Sequence, residues 1–513
     1  MNLIAHEDEH LLVAVKPPGW NTHAPAPFAN EGLYEWLKNR EPRWSRLAII
    51  HRLDKETSGL IVFGKSPQAN RSLTQQFESR GVAKKYAFLT DRAHARAHFT
   101  VKTKLSRVGD RYASGAAGQP AETRFSFVGE AGGAFLWEAE PLTGRTHQIR
   151  VHAAGEGIPI LGDRLYGGAA APRLCLHAAQ LAFRHPVTNE PLEFRNAPDF
   201  SKAAGAQLRA AIIDPSLTDA YRLVHGAADG WPGLYVDRLG DFIMSAAEKP
   251  LNAEELVMVE SLPCHAAYHK LLAGQPVNQT MALLRGEAAA NRFAVRENGV
   301  RFELSFAEGG SVGLFLDQRE NRRRLLTGCV APEFALGPVR EALNAFAYTC
   351  AFSVCAAMRG AKTASIDLSR KYLNWGRQNF SVNSLDSAEH EFLAGDAFHW
   401  FTRLARKKRA FDIVILDPPT FSRSKESGVF RAEKDYGKLI AAALPLVKPG
   451  GILFASTNAA GYPAESFLLD VEEATHAAGR RIERRHYSPQ PPDFPIHAGE
   501  PAYLKTLWVK LAS

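Results

Sequence analysis

The chain has 513 residues, with 62 lysines and arginines against 54 aspartates and glutamates, for a formal charge of +8 at neutral pH. That length exceeds one hydrophobic core and calls for roughly two to four domains, while the basic excess points to an acidic partner, nucleic acid first. Cys175, Cys264, Cys329, Cys350 and Cys355 are odd in number and form no CxxC pair. This argues against a disulfide framework or a zinc site and fits a reducing cytoplasm, and neither a signal-peptide core nor an apolar run long enough to span a bilayer is present.

In chain order, His10 to Val15 reads as a strand ended by the turn Lys16-Pro17-Pro18-Gly19. Leu47 to Ile50 and Leu60 to Phe63 read as short buried strands around His51-Arg52-Leu53-Asp54-Lys55-Glu56-Thr57-Ser58-Gly59, which holds one carboxylate, Asp54, between two cations on a turn. Taken alone, that pattern also suits a solvated surface turn. Ser66-Pro67 caps a helix running to about Arg80, with Leu73 and Phe77 on one face. Lys84 to Phe88 is a strand that puts Tyr86 and Phe88 on the same side. Pro141 to His152 then gathers Arg145, His147, Arg150 and His152 around a glycine turn. The two histidines are five apart, which is the wrong spacing for two metal ligands on one helical face. Guanidinium groups near a loop carboxylate instead suit paired hydrogen bonds to carboxylate or phosphate.

These segments carry a resemblance. Asp8 to Val13 with Lys16-Pro17, then HRLDKETSGL, KKYAF, TGRTHQIRVH and LGDRLYGG, resemble the RluA class of RNA pseudouridine synthases over about residues 1 to 197. The resemblance implies an α+β domain in which Asp54 is the catalytic aspartate, Tyr86 stacks on the target base and Arg150 pairs with the aspartate, with no metal or cofactor. The residues fit this physically: a base inside folded RNA must be pulled out and held against an aromatic face while cations such as Arg52 and Arg145 hold phosphates. A glycosidase would need a second carboxylate across the bond, for which Glu56 is the near candidate, and it would release the base.

Residues 201–217 read as a linker after a first domain over 1–200. Residues 216–312, with Gly-centred hairpins such as the one around Asn298-Gly299, read as a small α+β module. Gly313 to Arg323 starts a basic helix whose plain reading is a solvated face. From about residue 340 strands and helices alternate: Leu343 to Phe346, a helix from Phe352, Thr363 to Asp367, a helix capped by Ser369, Phe411 to Leu416, and Ile452 to Ala455. This predicts an α/β, mostly parallel, doubly wound sheet over 313–513. Ligands bind beyond the carboxyl ends of such strands, where Asp367, Asp396 and Asp417 emerge. Asp367 follows the first loop by about 20 residues, a spacing that lets a carboxylate take ribose hydroxyls, and the lack of a GxGxxG favours a nucleoside without a pyrophosphate.

The second half, through DGWPGLYVDRLGDF, GLFLDQRENR, NAFAYTCAFSV, LDPPTFSRSK, KPGGILFASTN and DFPIHAGEPAYLK, resembles the RlmI/RlmK-like ribosomal RNA methyltransferases, which have a Rossmann-like class I fold. The resemblance implies S-adenosylmethionine as cofactor. It places Phe346, Tyr348, Phe315, Asp317, Gln318 and Arg319 near that cofactor, Asp367 on its ribose, Asp396 near its adenine, and Asp417-Pro418-Pro419 around the methyl-transfer pocket. Cys350 and Ala351 stand where many members have glycines. Methylation at cytosine carbon 5 needs an attacking cysteine, yet Ser456-Thr457-Asn458 follows the last parallel strand. A nitrogen acceptor, guanine N7 first, is therefore expected. The full expectation is a cytoplasmic enzyme of two activities on RNA, ribosomal RNA above all, binding neither metal nor membrane. The alternative is a synthase whose second half is a silent RNA-binding or cofactor-binding module.

Overall fold

In the computed structural model, which describes residues 3–272, 281–308, 311–424, 428–497, 500 and 502–513, the strands on either side of Asp54 enter one sheet of 11 strands. It runs from Ile4–Glu7 through Leu11–Lys16, Ser58–Gly64, Leu176–Arg184, Ala83–Thr90, Ala134–Pro141, Gln119–Ala131 and His98–Val108 to Arg111–Gly115. Ala48–Ile49 and Pro191–Arg195 pair along Ser58–Gly64 and Leu176–Arg184. Among the described residues of this sheet, only the pairing of Ser58–Gly64 with Leu176–Arg184 is parallel. Gly59 sits in that parallel pair at φ 115°, where a β-carbon would lie 2.4 Å from the Ala178 carbonyl oxygen, so the strand leaving the Asp54 loop can approach its neighbour only through glycine. The helix Pro67–Glu78 starts as its sequence predicts: the Ser66 hydroxyl accepts from the Ala69 N–H, with proline following the cap.

The chain divides into two compact units, one of Met1–Pro25, Gly32–Lys38 and Arg43–Asp214, the other of Ala26–Glu31, Asn39–Pro42 and Pro215–Ser513. The stretch read as a linker differs from expectation. It contains the helix Ala204–Ile212, which buries Leu208, Ala211 and Ile212 and belongs to the first unit.

In the second unit a five-stranded sheet, Ala220–His225, Leu234–Leu239, Phe242–Ala247, Ala266–Leu271 and Ala282–Gly286, precedes the hairpin Phe293–Glu297/Val300–Leu304. Asn298 and Gly299 turn that hairpin at φ 51° and 80°, the positive pair a two-residue turn requires. A seven-stranded sheet follows, ordered Glu391–Ala394, Lys362–Asp367, Glu341–Ala345, Phe411–Leu416, Val447–Thr457, Lys505–Leu511, Ile482–Pro489. Its first five strands are parallel and Lys505–Leu511 is antiparallel to both neighbours. The crossovers reverse between Glu341–Ala345 and Phe411–Leu416, which opens a crevice at their carboxyl ends. The boundary expected between residues 312 and 313 is not a division of cores, because Leu239, Phe302, Phe306, Phe352, Phe454 and Trp508 share one apolar cluster. Lys425 of LDPPTFSRSK, and Ala498, Gly499 and Pro501 of DFPIHAGEPAYLK, lie outside the described residues. Among the described residues no helix is long and apolar enough to cross a membrane.

The basic helix Arg319–Thr327 is the largest departure from the sequence reading. It is not a solvated face, since Arg319 to Leu325 are all buried. Its charges are tolerated because they are paired. Arg319 forks onto Asp493 at 2.7 and 2.6 Å, and Arg322 forks onto Glu297 at 2.6 and 2.7 Å.

Phe346, Tyr348 and Cys350 adopt φ of 61°, 49° and 63° in the loop after Glu341–Ala345, so Cys350 occupies a conformation that suits glycine. Its thiol fits because Gly376, on the helix Arg370–Ser381, has no side chain: a β-carbon there would lie 2.4 Å from Cys350 Sγ. Gly376→Ala should therefore cost about 1–3 kcal/mol in denaturant unfolding through overpacking, and adding Cys350→Gly should recover most of that loss. Full stability of the single variant would contradict this account.

Candidate active sites

In the first unit, the Asp54 loop is held by two polar anchors. The Thr22 hydroxyl donates to the Leu53 carbonyl at 2.9 Å and accepts from its N–H at 3.2 Å. Lys16 is fully buried and spends its ammonium on the carbonyls of Pro17, Trp20 and Lys55 at 2.9, 2.7 and 3.0 Å. Burial pulls the Lys16 pKa down to about 7, against the opposing charges of Glu56 and Asp54. Lys16 thus ties the turn after the second strand to the residue following Asp54. Sequence reasoning took it only as part of a turn.

The turn that carries Arg145 is fixed by one side-chain amide. Gln148 accepts from the Thr143 hydroxyl and the Arg145 N–H at 2.7 and 3.1 Å, and donates to the Glu122 carbonyl and Thr123 hydroxyl at 2.9 Å each. His152, which bonds Thr123 and Thr103 at 2.9 Å, is buried and pushed down to about 4 by burial, so it serves packing.

The strand Ala83–Thr90 carries Tyr86 between Ala139 and Ala178 of its neighbours. Arg52, Asp54, Tyr86, Arg145, His147 and Arg150 all line one cavity of about 720 Å³. Burial raises the Tyr86 hydroxyl pKa, and the Asp54 charge adds to the shift, so the ring presents a neutral face. Arg52 and Arg145 are exposed.

Arg150 corrects one expectation. Its fork closes on Asp163, not on Asp54, with both bonds at 2.7 Å, and its guanidinium lies 5.0 Å from the Tyr166 ring centre. Burial alone would weaken its hold on the proton, but the Asp163 hydrogen bond and charge, with Asp54 adding to them, raise its pKa. Asp163 is the residue sequence reasoning missed. It lies in LGDRLYGG, and its spacing of 13 residues from Arg150 carries no local signal.

In the second unit, Phe346, Asp367, Leu368, Asp396, Phe398 and Phe430 line a cleft at the carboxyl ends of the parallel strands. The Asp367 oxygens accept from the backbone N–H groups of Tyr348 and Ser369, each at 2.8 Å. Burial raises its pKa against these two bonds. Asp396 also caps the helix Ala397–Arg406 by accepting from the His399 N–H at 3.1 Å. This donor set fits a nucleoside: a carboxylate has about four lone-pair sites, so Asp367 keeps acceptor capacity for hydroxyls, and aromatic rings line the same cleft.

Asp417, at the end of Phe411–Leu416, receives the Gln318 amide at 3.2 Å on each oxygen, and the same amide donates to the Ser456 hydroxyl at 2.8 Å. Burial pushes the Asp417 pKa up to about 6, Ser456 opposes the shift and the Asp317 charge adds to it. Pro418 is buried and Pro419 exposed. Of the residues expected at the cofactor, Gln318 thus meets Asp417, whereas Asp317 takes the Tyr503 hydroxyl at 3.2 Å and lines a separate cavity. Arg319, also expected at the cofactor, forks onto Asp493. Cys350 and Cys355 are wholly buried, and burial pushes the thiol of Cys350 up to about 12 and that of Cys355 upward as well.

Comparison with known proteins matches these two regions separately. Residues 10–155 match the family described as RNA pseudouridylate synthase, and residues 261–509 the S-adenosylmethionine-dependent methyltransferases. A ribosomal RNA large subunit methyltransferase of Deinococcus radiodurans is 34% identical over 328 residues, spanning 59% of this chain and 76% of that protein. The putative ribosomal RNA large subunit methyltransferase YwbD of Bacillus subtilis is 32% identical over 314 residues, 59% of this chain and 77% of its own length. Among solved structures, a putative methyltransferase complexed with SAH aligns with a TM-score of 0.53 at 28% identity, over 69% of this chain and 89% of that one. A putative SAM-dependent methyltransferase from Streptococcus mutans aligns with 0.52 at 29% identity, over 64% and 87%. The chain belongs to the S-adenosylmethionine-dependent methyltransferase family that includes the ribosomal RNA large subunit methyltransferases, and it carries an RNA pseudouridylate synthase domain in the same polypeptide.

Proposed function

We propose that the first unit converts uridine to pseudouridine at Asp54 and that the second transfers a methyl group to a base nitrogen, guanine N7 before cytosine carbon 5, with large-subunit ribosomal RNA as the substrate of both. The observation that carries the first half is the cavity where Asp54 and Tyr86 meet three arginines. A flipped uridine stacks on Tyr86 while Arg52 and Arg145 neutralise phosphates beside it. There the N1–C1′ bond breaks and a C5–C1′ bond forms, and the proton lost from C5 is balanced by one gained at N1, so the product is an isomer. Asp54 enables the exchange, and Arg150, held by Asp163, brings a fixed positive charge to the same cavity.

For the second half, S-adenosylmethionine supplies an electrophilic methyl group on a sulfonium. Asp367 holds the ribose hydroxyls, its two oxygens aimed by the Tyr348 and Ser369 N–H groups. Phe346 and Asp396, which line the same cleft as Asp367, would hold the adenine, and Asp417, ionised above about pH 6, would offset the positive charge of the sulfonium next to Pro418 and Pro419. The state of the two thiols in the cofactor loop and the helix after it supports nitrogen over carbon as acceptor. Cys350 and Cys355 are buried with raised pKa values, and the strand that ends beside Gln318 offers Ser456, Thr457 and Asn458. Carbon 5 of cytosine needs covalent activation, whereas guanine N7 has a lone pair ready and needs only positioning.

Asp54→Ala should abolish pseudouridine formation, read by nucleoside mass spectrometry, while the melting temperature stays that of wild type; surviving activity would remove Asp54 from its role. Calorimetry should show one S-adenosylmethionine site, weakened about tenfold or more by Asp367→Ala, since hydrogen bonds to a charged group are worth about 1.5–3 kcal/mol. The Asp417 pKa, raised to about 6 by burial, gives the sign of the pH effect. Affinity for the sulfonium cofactor rises as pH passes upward through about 6, the neutral thioether S-adenosylhomocysteine shows no such rise, and Asp417→Asn removes it.

A further inference from the structure

The second unit holds a cavity of about 610 Å³ that the cofactor cleft does not account for. Its wall comes from the five-stranded sheet, from the segment leading into the buried arginine helix, and from the loops after Val447–Thr457 and before Lys505–Leu511. Asp317 lies on that wall, one residue from the Gln318 that holds Asp417, and its charge is among those felt by Asp417. The cavity therefore opens beside the proposed methyl-transfer pocket.

We propose that this cavity, lined by Arg222, Tyr235, Lys270, Asp317, Phe494 and Tyr503, seats the acceptor nucleotide, and that Asp317 selects guanine by its Watson–Crick edge. The proposal rests on the methyltransferase reading above and names what that site accepts.

A carboxylate only accepts hydrogen bonds when ionised. Asp317 receives the Tyr503 hydroxyl at 3.2 Å and its own backbone N–H, which leaves about two of its four lone-pair sites. Guanine offers two adjacent donors, N1–H and the N2 amine, to such a group. Adenine and cytosine put a ring-nitrogen lone pair beside their amine, which a carboxylate repels, and uracil has one donor between two carbonyls. A guanine gripped on that edge keeps N7, on its opposite edge, open to the methyl donor.

The remaining wall suits a base and its backbone. The Arg222 guanidinium forks onto Asp237 at 2.5 and 3.2 Å and lies 4.7 Å from the Phe494 ring centre and 5.3 Å from that of Tyr235. Tyr503 stacks on His225 at 6.1 Å between centroids. This cluster is aromatic, and its guanidinium is paired with a carboxylate. Phe315, on the same cavity, is 47% exposed and offers a face for stacking.

The test is saturation-transfer NMR on the full chain with GMP, AMP, CMP and UMP, repeated with Asp317→Asn and Phe315→Ala. GMP should bind about tenfold or more tighter than AMP or CMP, the discrimination expected of one bidentate base contact. Asp317→Asn, whose amide donates where the carboxylate accepted, should erase that preference, and Phe315→Ala should weaken all four while keeping their order. Equal affinities in wild type, or a preference that survives Asp317→Asn at an unchanged melting temperature, would overturn the proposal. If Asp317→Asn fails to fold, the wild-type ranking and Phe315→Ala still decide. S-adenosylhomocysteine titrated in parallel separates the two readings: binding without guanine preference overturns this inference alone, and guanine preference without binding overturns the methyltransferase reading and with it the acceptor role.

Discussion

A charge taken out of water must be paired or hydrogen-bonded, and both candidate sites are built on that requirement. In the first unit Lys16, wholly buried, is satisfied by two carbonyls of the turn after its strand and one of the Asp54 loop, and Arg150 is satisfied by Asp163. In the second, Arg319 and Arg322 are satisfied by Asp493 and Glu297, which fixes the helix whose preceding residue, Gln318, holds Asp417. Removing one partner of such a pair costs about 3–5 kcal/mol, a large part of the roughly 5–15 kcal/mol that keeps a domain folded. The site residues are thus positioned by groups whose displacement threatens the fold itself.

The two chemistries ask for different surroundings, and the structure provides them. The cavity proposed for base isomerisation has exposed arginines in its lining and a neutral aromatic ring. A cationic methyl donor calls for carboxylates rather than arginines, and under the proposed function Asp367, Asp396 and Asp417, at the ends of parallel strands, meet that need. Where an arginine stands near that second site, as Arg319 and Arg322 do, its charge is already cancelled by a carboxylate.

Much of this was legible in the sequence, for reasons that are local. The cap at Ser66, the turn at Asn298-Gly299 and the strand Phe411–Leu416 each rest on residues within a few positions of one another. Asp54, Tyr86 and the arginines of the first cavity were legible from ordered motifs. What the sequence concealed is long-range. Asp493 lies 174 residues from Arg319, so nothing near the helix reveals that its charges are buried, and a solvated face is the reading its composition supports. Asp163 hid as Arg150's partner for the same reason, and Gly376 gives no local sign that it makes room for Cys350. Nor does periodicity reveal that apolar residues on both sides of residue 312 share one cluster.

The most direct test of two activities in one chain is nucleoside mass spectrometry of unmodified large-subunit ribosomal RNA after incubation with the purified full chain and isotope-labelled S-adenosylmethionine. This account predicts new pseudouridine, which appears with or without the cofactor, together with labelled 7-methylguanosine. Labelled 5-methylcytidine in its place, or pseudouridine with no labelled nucleoside, would contradict it.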